Sequence, residues 1–364
     1  MRQCASCIIT ENYPCIDFDE DGVCSLCREH TPPPPPAGEE ALEEAVAPFR
    51  GSGEKYDCIV AFSGGRDSTY ILWHAVRELG LSTLALFTDN GFVPDHTYRN
   101  LHRTTDLLGV DLRVEKYSTL RMAFPGMLRA WMRKPSPATV GLLCTGCSYG
   151  RRMKLPGTAG ELRIPLMMVG GGEPERSFAE RLLLPEGEEM GRKGVMKGFV
   201  RELGNNPRIA MSPVRTTIMG LEFALRYLEA PILRMLDMDY PKKKVFPFRY
   251  LGWDESVIMG TIEEELNWES GDMCGTPWRS DCLIAPLKNY IYGRMLGFHK
   301  VDEILAGMVR LGHIDRDTAM KRLESESWVN PSYLDGFLKD CGTSLARLDR
   351  AIDHAAGGGS SQNS

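Results

Sequence analysis

The chain has 364 residues, of which 43% are hydrophobic and 25% charged. That balance supports a folded core and excludes global disorder, a collagen and a coiled coil. The net charge of -6 argues against a generic electrostatic grip on nucleic acid. No apolar run approaches the roughly 18 residues of a membrane span, and Met1-Arg2-Gln3-Cys4 lacks the apolar stretch of a secretory signal. A cytoplasmic protein without a membrane partner is expected.

Cysteine is the unusual count, 11 against 7 histidines. In a reducing compartment such cysteines are more often metal ligands or catalytic groups than disulfides. Cys4 and Cys7 form one C-x-x-C pair, and Cys24 and Cys27 a second, 16 residues on. This spacing predicts a Cys4 site for Zn²⁺ over residues 1–30. So small a unit has little core and needs a staple. Four protein ligands leave no open position, so the metal is expected to be structural. Cys15 lies between the pairs and is not needed.

Thr31 and the five prolines Pro32 to Pro36 follow. They predict an extended, semi-rigid spacer. With a short acidic helix from Glu39 to Phe49 they fill a linker over 31–52.

Residues 53–235 read as a parallel α/β domain. Tyr56 to Phe62 suits a buried strand, Asp67 to Leu79 has helical spacing, and Leu84 to Phe87 suits a second buried strand. A helix over Tyr98–Leu108, a strand over Asp111–Val114 and a fourth strand over Ile164–Val169 continue the pattern. The fourth ends in Gly170-Gly171-Gly172. Such β-α-β units close into a parallel sheet. Residues 236–355 read as helical, with Val257, Ile258, Thr261, Ile262 and Leu266 on one face. Two helices over 301–311 and 318–323 follow, and Asn330-Pro331 is a helix start. Residues 356–364 form a polar tail.

Ser63-Gly64-Gly65-Arg66-Asp67-Ser68 lies between the first strand and its helix. Two glycines let successive amides turn inward, and the helix N-terminus adds its positive end. The result is an anion cradle. It is neither a Walker A loop nor a dinucleotide G-x-G-x-x-G turn. S-G-G-x-D-S in this setting resembles the PP-loop of the ATP pyrophosphatases, the adenine nucleotide alpha hydrolase-like superfamily. The resemblance implies a Rossmann-like domain that cleaves ATP between its α- and β-phosphates and transfers AMP to a substrate oxygen. It implies that Ser63, Gly64, Gly65, Asp67 and Ser68 hold the pyrophosphate end with Mg²⁺, assisted by Thr69. Arg66 belongs to the same nucleotide site, as do Asp89, which ends the second strand, and Gly170. Asp67 is a catalytic candidate.

Cys144 and Cys147 form the third C-x-x-C pair. They lie in an interval without acidic residues, between Glu115 and Glu161, that holds Lys116, Arg121, Arg129, Arg133, Lys134, Arg151, Arg152 and Lys154. A basic setting attracts an anionic substrate and activates thiols, although a charge run also serves as a solvated face. Cys282 stands apart, in Trp278-Arg279-Ser280-Asp281-Cys282. This arrangement resembles the PP-loop tRNA thiolases, and it implies that Cys144, Cys147 and Cys282 hold a [4Fe–4S] cluster with one open iron. Cys274 is the alternative third ligand. Zinc or a reversible disulfide at Cys144 and Cys147 stays open as the other reading.

The stretch from Cys4 to Cys27, with Ile16-Asp17-Phe18-Asp19-Glu20-Asp21-Gly22-Val23-Cys24, resembles the start of the N-acetyl sugar amidotransferases. Those are PP-loop enzymes that exchange an oxygen for ammonia. The expectation is an ATP-dependent transferase that adenylates a carbonyl or amide oxygen and replaces it with sulfur. Ammonia is the alternative, and a non-catalytic nucleotide-binding adaptor is the third reading. The expected partners are a small or anionic substrate and a sulfur or ammonia donor protein. tRNA is less favoured, and a homodimer stays open.

Overall fold

The computed structural model describes residues 1–116, 119–144, 147–171, 178, 181–184, 191–211 and 241–358. Gly172, the expected boundary at 235–236 and the end of the tail lie outside the described residues.

The core is a parallel sheet of β1 (Cys58–Ala61), β2 (Thr83–Asp89), β3 (Asp111–Lys116), β4 (Leu166–Val169) and β5 (Lys243–Val245), in the order β3-β2-β1-β4-β5. Every neighbouring pair is parallel, with Cys58 opposite Thr83 on one side and Leu166 on the other. The expected α/β fold with a parallel sheet is therefore the fold observed.

Strand side chains alternate between faces. Ile59, Leu84, Leu86, Met167 and Val169 pack on one face with Leu155 and Ala159. Val60, Ala85, Phe87 and Met168 pack on the other with Ile71, Leu72 and Leu101. The first face is covered by α6 (Cys147–Glu161), the second by α3 (Arg66–Arg77) and α4 (Asp95–Leu108). A central strand buried on both faces is apolar throughout, which is why Cys58, Ile59 and Val60 are all buried. The chain leaves β1 toward β2 and later returns to β4 on its other side. That reversal opens a crevice at the carboxyl ends of β1 and β4, where open α/β sheets bind ligands.

The N-terminal unit holds α1 (Ser25–Arg28), and α2 (Glu39–Val46) follows the prolines. The proline segment is pinned at its end. The Ala37 and Gly38 amides donate to the Arg249 and Tyr250 carbonyls at 3.2 and 2.8 Å. The Cys-rich unit packs on the C-terminal helices. Ile8, Ile9 and Tyr13 are buried in the main core, and the Tyr13 hydroxyl donates to Glu303 at 2.6 Å.

Between the strands also lie α5 (Thr119–Arg133) and α7 (Arg192–Asn205). After β5 the described chain is helical: α8 (Phe248–Leu251), α9 (Glu255–Leu266), α10 (Ile284–Leu296), α11 (Lys300–Arg310), α12 (Arg316–Glu326), α13 (Pro331–Asp340) and α14 (Leu345–Gly358). Asn330 caps α13 as its sequence predicts, accepting from the Ser332 and Tyr333 amides. No described helix is long and apolar enough to cross a membrane.

Candidate functional site

The loop from Ser63 to Ser68 sits at the crevice, between the end of β1 and the start of α3. Gly64 has φ +75°, a left-handed conformation that suits glycine, and a Cβ there would stand 3.0 Å from Thr97 Cγ2. The loop braces itself. The Ser63 amide donates to Ser68 Oγ at 3.1 Å, Ser68 Oγ donates to the Gly65 carbonyl at 2.9 Å, and Thr69 Oγ1 donates to the same carbonyl at 3.0 Å. Gly65 is the N-cap of α3, and no side chain caps it. The first amides of α3 thus lack intrahelical acceptors and face the crevice side of the sheet. Gly170, at the end of β4, backs the loop: a Cβ there would meet Ile71 at 3.3 Å and the Ser68 amide at 3.8 Å.

Asp67 and Arg66 are held by residues from the distant C-terminal region. Trp253 Nε1 donates to Asp67 Oδ1 at 3.3 Å, and Arg66 Nε lies 3.5 Å from the same oxygen. The Arg66 guanidinium is buried, lies 3.6 Å from the centroid of the Trp278 ring and pairs with Glu255. Its charge is directed into the fold. Burial alone would raise the Glu255 carboxyl, but Arg322 and Arg66 outweigh it and hold that carboxyl below its ordinary value. Trp268 Nε1 donates to the Gly64 carbonyl at 2.9 Å. Asp89 accepts from the Gly91 amide at 2.7 Å and the Tyr98 hydroxyl at 2.8 Å, so it shapes the turn after β2.

Asp281 is a further carboxylate at the loop. Its Oδ2 lies 3.5 Å from where a Cβ on Gly65 would stand. His96 secures that segment by donating from Nε2 to the Ser280 carbonyl at 2.9 Å. Burial pushes the His96 imidazole below its ordinary 6.5. Arg99 pushes the same way, while the Ser280 bond, Asp272 and Asp281 oppose it. The sign follows. Below 6.5 the unfolded chain takes up the proton before the folded chain does, so stability falls as pH falls. Burial depresses His74 in the same way. Thermal midpoints are expected to be flat just above pH 6.5 and to decline below it, before carboxylates titrate. His96→Gln keeps a donor for Ser280, and its decline should be shallower than that of the parent protein.

The three central cysteines come together beside this loop. Cys144 ends a 3₁₀ segment, Pro137–Cys144, that packs against α10; Cys147 opens α6; Cys282 lies two residues before α10. The Leu283 amide donates to the Phe92 carbonyl at 2.9 Å, tying Cys282 to the turn after β2. In that turn Asn90 Nδ2 donates to Cys147 Sγ at 3.3 Å, and Lys288 Nζ of α10 donates to Cys144 Sγ at 3.4 Å. Burial chiefly, then the charges of Cys147, Asp281 and Cys144, push the Cys282 thiol up to about 12. Cys282 therefore lies within electrostatic reach of both Cys144 and Cys147. A multi-iron cluster holds its thiolates farther apart than a single ion does, and the donor set is all thiolate, which suits such a cluster. Cys274 is buried and pairs through its backbone with Val329.

Among the basic residues near these cysteines, several are engaged. Arg129 donates to the Cys341 carbonyl, Lys134 to the Asn205 carbonyl, and Lys154 pairs with Glu115. The side chains of Arg151 and Arg152 lie outside the described residues.

Cys4, Cys7, Cys24 and Cys27 form a second centre. Their sulfurs all lie within 4.8 Å of one another, and the first three are buried. The Cys7 and Cys24 amides point at Cys4 Sγ from 3.4 and 3.2 Å. Hydrogen bonds from Cys27 and Cys7 push the Cys24 thiol down to about 2, while the same sharing pushes Cys7 far up. The four converging sulfurs fit a closed four-sulfur site for an ion such as zinc.

The sequence signalled the loop and both cysteine groups. Trp253, Trp268, His96 and Asp281 carried no local signal, because each reaches the loop only through the tertiary fold.

No family model matches the chain. Over 115 residues it is 28% identical to an uncharacterized protein from Methanocaldococcus jannaschii. That stretch is 31% of this chain and 42% of the relative, so the chain spans less than half of the relative's length.

Proposed function

We propose that the protein is a PP-loop enzyme that uses ATP, forms AMP and pyrophosphate, and exchanges an oxygen of its substrate. The observation that carries this reading is the uncapped N-terminus of α3 behind a self-braced Ser63–Ser68 loop at the sheet's reversal point. In this reading the loop amides bind the β- and γ-phosphates. A carbonyl or amide oxygen of the substrate attacks the α-phosphorus. The bond from that phosphorus to the bridging oxygen breaks, and pyrophosphate leaves with both electrons. The amides stabilise the charge that builds on it. Mg²⁺, held by Asp67, would supply further charge compensation when bound. The substrate oxygen now belongs to an adenylate and is a good leaving group.

A nucleophile then displaces AMP. Cys144, Cys147 and Cys282 favour sulfur, because they converge beside the loop and ammonia transfer leaves them no task. They would hold a [4Fe–4S] cluster, which would supply a site for sulfide when bound. Sulfide adds to the activated carbon, AMP departs with the C–O electrons, and one proton is released. Ammonia in the same place gives an amidine or amide. The resemblance of residues 4–27 to the N-acetyl sugar amidotransferases favours that second reading.

The test is AMP and pyrophosphate release from ATP with panels of amide, acetamido-sugar and nucleoside acceptors, supplied with sulfide or ammonium. One-to-one AMP and pyrophosphate, dependent on an acceptor, supports the enzyme. ATP binding without turnover across the panels would return the protein to an adaptor role.

A further inference from the structure

The Cys-rich unit and the phosphate loop grip the same helical hairpin, α11–α12. On one side, Arg310 Nη1 donates to Cys7 Sγ at 3.6 Å. Arg316 Nε donates to the Cys4 and Cys7 carbonyls at 3.3 and 3.1 Å, and its Nη2 donates to Gln3 at 3.0 Å. On the other side, Arg322 lies further along the same helix, α12. It pairs with Glu326 at 2.6 Å and with both oxygens of Glu255. Glu255 pairs in turn with Arg66, the first residue of α3, beside Asp67. An aromatic arm runs in parallel. His313, in the turn between α11 and α12, meets the Trp253 ring edge-on at 5.4 Å, and Trp253 holds Asp67.

The first knuckle of the Cys4 centre and the first turn of α3 are thus joined through one hairpin by two short chains of contacts. Glu255 and Arg322 are only partly exposed, and removing one member of such a shielded pair leaves the other charge poorly compensated. A shift of the hairpin is therefore transmitted to Arg66 and to its neighbour Asp67 in the first turn of α3.

We propose that Glu255 and Arg322 are positioning residues through which the Cys4 metal centre sets the geometry of the phosphate loop, so that metal and nucleotide binding are reciprocally coupled. The proposal rests on the nucleotide reading above and on a metal at the four cysteines. Coupling of binding equilibria is reciprocal by necessity. The metal must then bind more tightly when the loop is filled, and by the same factor that it strengthens nucleotide binding.

The test uses the full chain loaded with zinc. Zinc is withdrawn by a chromophoric chelator with and without saturating α,β-methylene-ATP and Mg²⁺. Analogue binding is measured separately by calorimetry. The analogue is expected to raise zinc affinity about tenfold, within the usual range for coupled sites. Arg322→Met should still bind zinc and the analogue, but the factor should fall toward one, and Arg322→Lys should recover part of it. His313→Ala, at an exposed position, should lower the factor and serves if Arg322→Met does not fold. Equal zinc affinity with and without bound analogue overturns the proposal. So does full coupling in a folded Arg322→Met or, if that variant does not fold, in His313→Ala. Zinc-loaded protein that binds no analogue refutes the nucleotide reading instead, and protein that binds no zinc refutes the metal reading.

Discussion

Replacing Asp67 by alanine is expected to reduce AMP formation at least about a hundredfold, the scale of losing one preorganised electrostatic group. The fold should survive. Asp67 lies in the first turn of α3, and its partners include Trp253 Nε1 at 3.3 Å and Arg66 at 3.5 Å. Losing the Trp253 bond costs about 1.5–3 kcal/mol, the usual net worth of a hydrogen bond to a charged group. Asp67→Asn separates the two effects. Its amide oxygen still accepts from Trp253, but the charge that would hold Mg²⁺ is gone. Both variants should therefore bind nucleotide analogue in the absence of Mg²⁺, lose the improvement that Mg²⁺ brings, and fail to release pyrophosphate. Wild-type AMP formation by either variant would remove Asp67 from the reaction and with it the PP-loop reading.

Much of the sheet was legible because its strands are short and apolar on both faces. Tyr56 to Phe62, Leu84 to Phe87 and Ile164 to Val169 read as buried runs that overlap β1, β2 and β4, and the glycines that follow β1 marked the turn. β5 was not legible. Lys243-Lys244-Val245 has one buried side chain and two exposed lysines, so it is a strand only because β4 offers it a free edge. α5 and α6 were missed for another reason. Each carries a proline inside the helix, Pro125 and Pro156, which breaks the local pattern that sequence reading depends on. α10 shows the same effect near its start, with Pro286.

The candidate site divides along the same line. Ser63 to Ser68 announce themselves because glycines and hydroxyls cluster between a strand and a helix. Arg66 and Asp89 carry that signal too, yet in the fold Arg66 lies against Trp278 and Asp89 shapes a turn. Asp281 reaches the loop across more than two hundred residues of sequence, and no local spacing encodes that approach. The packing of the Cys-rich unit on α11 and α12 is equally non-local. It depends on Ile8, Ile9 and Tyr13 finding a core that the C-terminal helices supply.

The choice between sulfur and nitrogen rests on Cys282. If Cys144, Cys147 and Cys282 hold a cluster, anaerobically purified protein is expected to be brown, with about four iron and four sulfide per chain beside the metal of the Cys4 centre. Cys282→Ala should bleach it and stop sulfur transfer while leaving ATP binding and the Cys4 metal intact. Its thiol is partly buried and pushed up by desolvation and by the charges of Cys147, Asp281 and Cys144. A raised thiol disfavours the thiolate that a free nucleophile or a labile disulfide requires. Cys144 and Cys147 differ, since each sulfur already receives a hydrogen bond, from Lys288 and Asn90. Cys147→Ala should also bleach the protein, whereas Cys58→Ala, deep in β1, should not. A colourless, iron-free anaerobic protein that turns over with ammonium, and whose Cys282→Ala variant keeps that activity, would assign the second step to nitrogen. The thiols would then be part of the wall around the acceptor.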